Sequence, residues 1–254
     1  MRHPAADPAG ATLPASLTVA EAQAIDAHAA ETLGLPTLLL MENAAVNAAA
    51  VVLDLLAEAV ELDEDRFRVG ILAGGGSNGG DGWAMARHLL GSGVAATVFA
   101  VRPVEGLRGD AAVNAQAAVA CGVPVTPCND GEAAGALHGV LARQHVLVDA
   151  VLGTGLSGPP RAAAAGVIRV LNELSPRPPV LAIDVPSGLD ADSGEPAEPT
   201  VRADLTVTFV APKRGFAAAG APGFTGRVVT AGIGVPDAAL AAALPAASAP
   251  AAIR

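Results

Sequence analysis

Ala73-Gly-Gly-Gly-Ser-Asn-Gly-Gly-Asp-Gly82 decides how this chain is read. The segment before it, Phe67-Arg-Val-Gly-Ile-Leu-Ala73, is a short apolar run of buried-strand type. The segment after it, Trp83 to Leu90, has the spacing of an amphipathic helix. A strand that passes through glycines into a helix is the repeating unit of a parallel α/β sheet. Glycines there allow positive φ and let a ligand approach the backbone N–H groups. The helix N-terminus that follows carries partial positive charge and favours a phosphate. The ligand site is therefore expected around Gly74 to Gly82.

Upstream, Thr18-Val-Ala-Glu21 has the form of a capping box. Its hydroxyl and carboxylate would each satisfy a free backbone N–H and open a helix to about Thr32. Gly34 stops that helix, and Pro36 stands where a second can begin. The second is predicted over Thr37 to about Val60. It is apolar on most sides, as a helix buried in the fold or packed on a partner subunit would be. An acidic turn, Glu61 to Asp65, separates it from the first strand.

Downstream, strands are predicted at Ala95–Val101, Val123–Val125, His145–Asp149, Pro179–Asp184, Leu205–Val210 and Arg227–Ala231. Helices are predicted at Gly109–Cys121, Glu132–Arg143 and Ala162–Glu173. Alternation of this kind gives right-handed crossovers. The expected fold class is α/β: a three-layer, doubly wound, mainly parallel sheet with two N-terminal helices. One domain is expected over 17–236, with a Pro/Ala-rich tail at 1–16 and an Ala/Pro-rich tail at 237–254. Pro186 to Arg202 is the longest irregular stretch, and loops of that length inside a compact domain are often functional.

Composition narrows the function classes. The chain is 52% hydrophobic, carries a formal net charge of −10 and has only 2% aromatic residues. Nucleic-acid binding needs clustered cations and usually stacking rings, and neither is present. Cys121 and Cys128 suit thiols in a reducing compartment better than a disulfide framework or a zinc pair. No continuous apolar run has the length of a membrane span, and the N-terminus lacks the apolar core of a signal peptide. A cytoplasmic protein without membrane partners is expected.

Gly74, Gly76 and Gly79 fit the dinucleotide pattern G-x-G-x-x-G. The dehydrogenase form also needs an acid at the end of the next strand, about 20 positions on, for the ribose. Here that strand runs into Arg102, and Glu105 comes about thirty positions after Gly74. No Lys-Ser/Thr follows the glycines, which excludes a P-loop. Two other strand ends carry carboxylates, Asp149 before Gly153-Thr-Gly-Leu-Ser-Gly158 and Asp184 before Val185-Pro-Ser-Gly-Leu-Asp190. Ligands of parallel sheets bind outside the carboxyl ends of the strands, so Asp81, Asp149 and Asp184 should converge on one crevice. The oxygens of Asn78, Asp149 and Ser187 could coordinate a hard cation. The five histidines are scattered, with no triad or zinc spacing, and read as structural or surface residues. Lys213, directly after a strand, could reach a phosphate or simply be solvated.

Taken in order, Leu40-Met-Glu-Asn-Ala-Ala45, Gly76-Ser-Asn-Gly-Gly-Asp-Gly82, Val148-Asp-Ala-Val-Leu-Gly-Thr-Gly-Leu-Ser-Gly158, Ile183-Asp-Val-Pro-Ser-Gly-Leu-Asp190 and Ala211-Pro-Lys-Arg-Gly215 resemble the YjeF N-terminal domain family, the NAD(P)H-hydrate epimerases. The resemblance spans about Leu17 to Pro236. It implies a Rossmann-like fold and interconversion of the R and S forms of hydrated NADH and NADPH (NADHX and NADPHX), which carry a hydroxyl on C6 of the nicotinamide ring. It further implies that Ser77, Asn78, Gly79, Gly80 and Asp81 contact the substrate, together with Gly153, Thr154, Gly155, Leu156, Ser157, Gly158, Pro159 and Asp184. A potassium ion would be held by Asn78, Asp149 and Ser187. The chain departs from the family pattern at Gly75, where the family usually has Pro, and at Ser77, where it usually has Asn.

The implied chemistry needs an acid to protonate the leaving hydroxyl as the ring nitrogen expels water. It then needs a base to help water return from either face; one or two carboxylates suffice. Asp184 is the expected main acid/base, with Asp81 assisting. A homodimer through the two N-terminal helices is expected, and a dehydratase acting on the product would be absent or on another chain. Two other functions compete: a non-catalytic nucleotide-binding or scaffolding module of the same fold, and a nicotinamide-dependent oxidoreductase. The retained strand-end carboxylates argue against the first, and the missing ribose acid argues against the second.

Overall fold

The computed structural model describes residues 12–58, 67–128, 133–155 and 158–244. The acidic turn expected at 61–65 lies outside them. Seven strands, β1 (Arg68–Ala73), β2 (Ala95–Ala100), β3 (Val125–Pro127), β4 (Val146–Ala150), β5 (Val180–Ile183), β6 (Leu205–Phe209) and β7 (Arg227–Ala231), form one sheet in the order β3-β2-β1-β4-β5-β6-β7. Every adjacent pair is parallel. The order reverses direction between β1 and β4, the switch point beside which doubly wound sheets bind their ligands.

The helices are α1 (Val19–Glu31), α2 (Thr37–Glu58), α3 (Ser77–Gly91), α4 (Gly109–Ala120), α5 (Ala133–Leu141), α6 (Ala162–Glu173), α7 (Pro222–Thr225) and α8 (Asp237–Ala241). Alternation along the strands divides the core in two. Val69 and Ile71 of β1 and Val146 and Val148 of β4 face α2 and α3, meeting Ala48, Val52, Trp83 and Met85. Leu72 and Leu147, one step on, face α5 and α6, meeting Leu141, Ile168 and Leu171. This is the three-layer arrangement the sequence predicts. Glu42 pins α2 to α3 by pairing with Arg87 and with His88 Nε2 at 2.9 Å. By length and composition α2 could cross a membrane, with a mean hydropathy of 1.6. Here its Ala45, Ala48, Ala49 and Val52 belong to the core.

Three expectations need correction. The third strand is displaced to Val125–Pro127, because Pro124 has no N–H for the ladder and offers only its carbonyl, to Val98. Residues 237–244 are not a tail: Leu240 of α8 is buried against the cluster of Leu17, Ile25 and Leu40. Residues 1–11 and 245–254 lie outside the described residues.

The third correction concerns the glycine turn. α3 starts at Ser77, so Ser77 to Gly82 are its first turns rather than a loop ahead of Trp83. None of the glycines from 74 to 82 adopts positive φ. They are needed for close approach. A Cβ on Gly79 would overlap the Gly74 carbonyl, and one on Gly82 would lie 2.7 Å from Ala150 Cβ. Glycine in a helix costs roughly 1 kcal/mol relative to alanine. That cost lets the N-terminal end of α3 press against the ends of β1 and β4.

Candidate active site

A cavity of about 650 Å³ opens over the carboxyl ends of β1, β4, β5 and β6 and is roofed by α1 and α2. Gly75, Gly76, Ser77, Asn78 and Asp81 line it from the start of α3, and Gly153, Thr154 and Gly155 line it from the loop after β4. Asp184 and Lys213 line it from beyond β5 and β6. Gly79 and Gly80 are buried behind this wall, and Gly158 and Pro159 are exposed away from it. Leu156 and Ser157 lie outside the described residues.

Asp184 and its surroundings are built by two tight turns on neighbouring strands. Asp184 has φ 63° and Val210 has φ 68°. Each is the middle residue of a three-residue turn: Val185 N–H donates to Ile183 O, and Ala211 N–H donates to Phe209 O, both at 2.8 Å. Such turns are rare and strained, and a β-branched residue with positive φ is a genuine outlier. They are held in place by Asp184 N–H on Val207 O at 2.7 Å and Val210 N–H on Ala231 O at 2.9 Å. Strain of this kind costs about 1–3 kcal/mol per residue and gathers at functional sites.

The turns bring Lys213 onto Asp184. Lys213 is buried, 3% exposed, and its Nζ lies 2.6 Å from Asp184 Oδ1. It also donates to Thr208 Oγ1 at 3.0 Å. This corrects the reading of Lys213 as a solvated cation: it is buried, and its partner is Asp184. Thr208 Oγ1 at 3.1 Å and, more weakly, Phe209 N–H at 3.4 Å also donate to Asp184 Oδ1. All three donors fall on one oxygen; among the described residues none falls on Oδ2, which is left for a ligand.

Asp81 and Asp184 do meet in the cavity, joined by Asp26 of α1, which sequence reading missed. On the sequence Asp26 looks like any helix-surface acid, and nothing marks it. Burial above all, then the charges of Asp184 and Asp26, raises Asp81 well above the usual carboxylate range. Asp26 is raised to about 6 by desolvation and by Asp184, with Lys213 opposing. Asp26 is exposed at the rim of the cavity. Thr37 Oγ1 donates to Asp110 Oδ2 at 2.5 Å on the same wall, another pair that sequence reading did not single out.

Asp149 is a correction to the expected convergence. It is fully buried and does not line the cavity. Its carboxylate receives Ser187 Oγ at 2.6 Å, Ser187 N–H at 2.7 Å and Val151 N–H at 3.2 Å. Burial raises it to about 6 against those hydrogen bonds. Leu152 completes the set: its N–H donates to Ser187 Oγ at 2.8 Å, and its carbonyl accepts from Asn78 Nδ2 at 2.9 Å. Asn78, Asp149 and Ser187 are therefore brought together through Leu152, Asn78 on the cavity wall and Asp149 and Ser187 buried beneath it. Asn78 Oδ1 is buried there without a hydrogen-bond donor. An orphaned oxygen linked through Leu152 and Ser187 to a buried carboxylate fits a hard cation, which needs oxygen ligands. No cluster of three His, Cys, Asp or Glu exists among the described residues to hold a transition metal.

Fold and site define a doubly wound α/β protein with a carboxylate-lined cavity at its switch point. The sequence matches the family described as YjeF-related protein N-terminus over residues 37–215, and the chain belongs to that family. It is 39% identical over 220 residues to an NAD(P)H-hydrate epimerase of Rhodopirellula baltica, covering 87% of this chain and 84% of that protein. It is 40% identical to an NAD(P)H-hydrate epimerase of Pirellula staleyi, covering 85% and 91%. The bifunctional NAD(P)H-hydrate repair enzyme Nnr of Pyrobaculum aerophilum is 42% identical over 87% of this chain, which spans 42% of that enzyme. Among solved structures, yeast ynu0, YNL200c, superposes with a TM-score of 0.67 at 27% identity, covering 79% of this chain and 82% of that one.

Proposed function

We propose that this chain is an NAD(P)H-hydrate epimerase, an isomerase that interconverts the R and S forms of NADHX and NADPHX. The observation that carries this reading is the cavity over the strand ends. At one part of its wall is a glycine-built helix N-terminus suited to a phosphate. At another, Asp184 is held by Lys213 with its second oxygen open, and relatives named for this activity match nearly the whole domain.

A strand-end carboxyl can work on C6. Protonation of the hydroxyl lets water leave while the ring nitrogen's lone pair forms a planar iminium. Water returning to either face gives up a proton to a carboxylate. We assign this role to Asp184 Oδ2, which the donors on Oδ1 leave open. Asp81, whose buried carboxyl favours the protonated form, supplies or stores the proton. Ser77 and the backbone N–H groups at the start of α3 orient the phosphates. Ser77 is exposed to the cavity, so its shorter reach than the family's asparagine weakens one side-chain contact and leaves the backbone contacts.

Potassium fits the Asn78, Asp149 and Ser187 oxygens. When bound it would offset the buried Asp149 charge and brace the two loops that face the substrate. α2, with Leu39 and Val46 exposed, supports a homodimer face. A cytoplasmic setting and a separate S-specific dehydratase complete the proposal. The test is to add the protein to R-hydrate and follow the nicotinamide protons by NMR. Appearance of the S form faster than in buffer supports the reading; no acceleration sinks it.

A further inference from the structure

Asp26 lines the cavity from α1, one of the two helices that roof it. Ala22, Gln23 and Asp26, on successive turns of α1, face the cavity, while Ile25 and Ala29 of the same helix are buried. Other acids nearby have structural partners. Glu21 closes the capping box of α1 through Thr18, and Asp192 accepts from Val19 N–H at 2.8 Å. Among the described residues Asp26 makes no hydrogen bond or ion pair, so the fold does not account for its charge.

We infer that Asp26 is a second proton-transfer carboxyl, acting on the substrate from α1 while Asp184 acts from the sheet; this rests on the epimerase reading above. Three carboxyls, Asp26, Asp81 and Asp184, line one cavity whose lining holds a single cation, Lys213, and that cation is paired with Asp184. Like charges this close cannot all ionise without cost, so a proton is retained among them. Asp184 is tied to Lys213, and Asp81 is buried. Asp26, at the rim and raised to about 6, is the group that exchanges its proton with solvent most easily.

The step balances. Protonated Asp26 gives its proton to the C6 hydroxyl. The C6–O bond breaks, water leaves, and the ring nitrogen's electron pair forms the C=N bond. A water then bonds to the other face of C6, the C=N electrons return to nitrogen, and the excess proton passes to Asp184. Return of that proton to Asp26 through water resets the site. In the reverse direction the two carboxyls exchange roles.

The charged groups facing Asp26 are Asp81 from α3, Asp184 and Lys213 from the sheet ends, and Asp110 from α4. The α2 residues on the cavity (Thr37, Leu40, Met41 and Ala44) carry no charge. A general acid in this position loses its proton as pH rises, so wild-type kcat/KM should fall about tenfold per pH unit above about pH 6. The test measures kcat/KM against pH for wild type, Asp26→Asn, Asp26→Glu and Asp184→Asn, with excess S-specific dehydratase trapping the product and the buffer rate subtracted. Trp83 fluorescence confirms that each variant is folded. The expected result is a loss of at least about 100-fold in Asp26→Asn at pH 6, a pH profile without the falling limb, and recovery of most activity in Asp26→Glu. An Asp26→Asn profile that keeps the wild-type limb, at full or reduced rate, overturns the inference. Absence of conversion by wild type sinks the epimerase reading and this inference with it, a result distinct from either profile.

Discussion

Lys213 Nζ lies 2.6 Å from Asp184 Oδ1, and this ion pair ties together the residues that follow two neighbouring strands. It fixes which Asp184 oxygen is spent on structure and which is free for chemistry.

Replacing Asp184 with Asn keeps an oxygen for Lys213 and removes the proton-transfer group. Epimerisation should fall about 10²- to 10⁴-fold in kcat with KM little changed, as for loss of a general acid/base. Steady-state rates on purified R-hydrate check this.

Removing Lys213 instead leaves Asp184 unpaired beneath strained backbone. Lys213→Met should cost about 2 kcal/mol in urea unfolding followed by Trp83 fluorescence. This is less than for severing a fully buried pair, because Asp184 keeps 18% of its side chain exposed. The double variant Lys213→Met/Asp184→Asn should be more stable than Lys213→Met alone. If it is less stable, the two losses are independent and the pair is not what holds Asp184.

The glycines of the turn should differ sharply. Gly79→Ala puts a methyl group into the Gly74 carbonyl and should destabilise by about 1–3 kcal/mol. Gly76→Ala meets nothing within 4 Å and should change stability by less than about 1 kcal/mol. Equal effects would contradict the close approach of α3 to the strand ends.

Asp26 links stability to pH with a definite sign. Its folded-state value, about 6, is above that of an unfolded aspartate. The folded protein therefore binds more protons between about pH 4 and 6 and loses stability as pH rises through that window. Asp26→Asn should raise stability near neutral pH by about 1 kcal/mol, a figure discounted for the exposure of the carboxyl at the rim. The gain should vanish below about pH 4. Thermal unfolding of both proteins across this range checks it.

Potassium should stabilise the folded protein by mass action, raising the melting temperature in potassium chloride over lithium chloride at equal ionic strength. Asn78→Leu, which removes the orphaned oxygen, should abolish that difference. A difference that survives the substitution would place the ion elsewhere.

Much of this was legible in the sequence. The capping box at Thr18 and Glu21, the limits of α6 and β7, and the strand-end positions of Asp149 and Asp184 follow from local chemistry that the fold leaves intact. The errors come from contacts between distant segments. α3 absorbs its glycines because the ends of β1 and β4 lie against it, and no local signal reports that. Asp149 is drawn beneath the cavity by Ser187, which arrives from the next loop. Lys213 looks free until two positive-φ turns fold it onto Asp184. Asp26 gains its setting only from α1 roofing the sheet.

The central claim is that the cavity holding Asp184 and Lys213 interconverts the two hydrate epimers. The most direct measurement mixes purified R-hydrate of NADH or NADPH with this protein and an excess of S-specific dehydratase, and follows the recovery of reduced nicotinamide by its absorbance. Recovery well above the rate with dehydratase alone, lost in Asp184→Asn, is the predicted result. Recovery no faster than with dehydratase alone, or equally fast with Asp184→Asn, would contradict it.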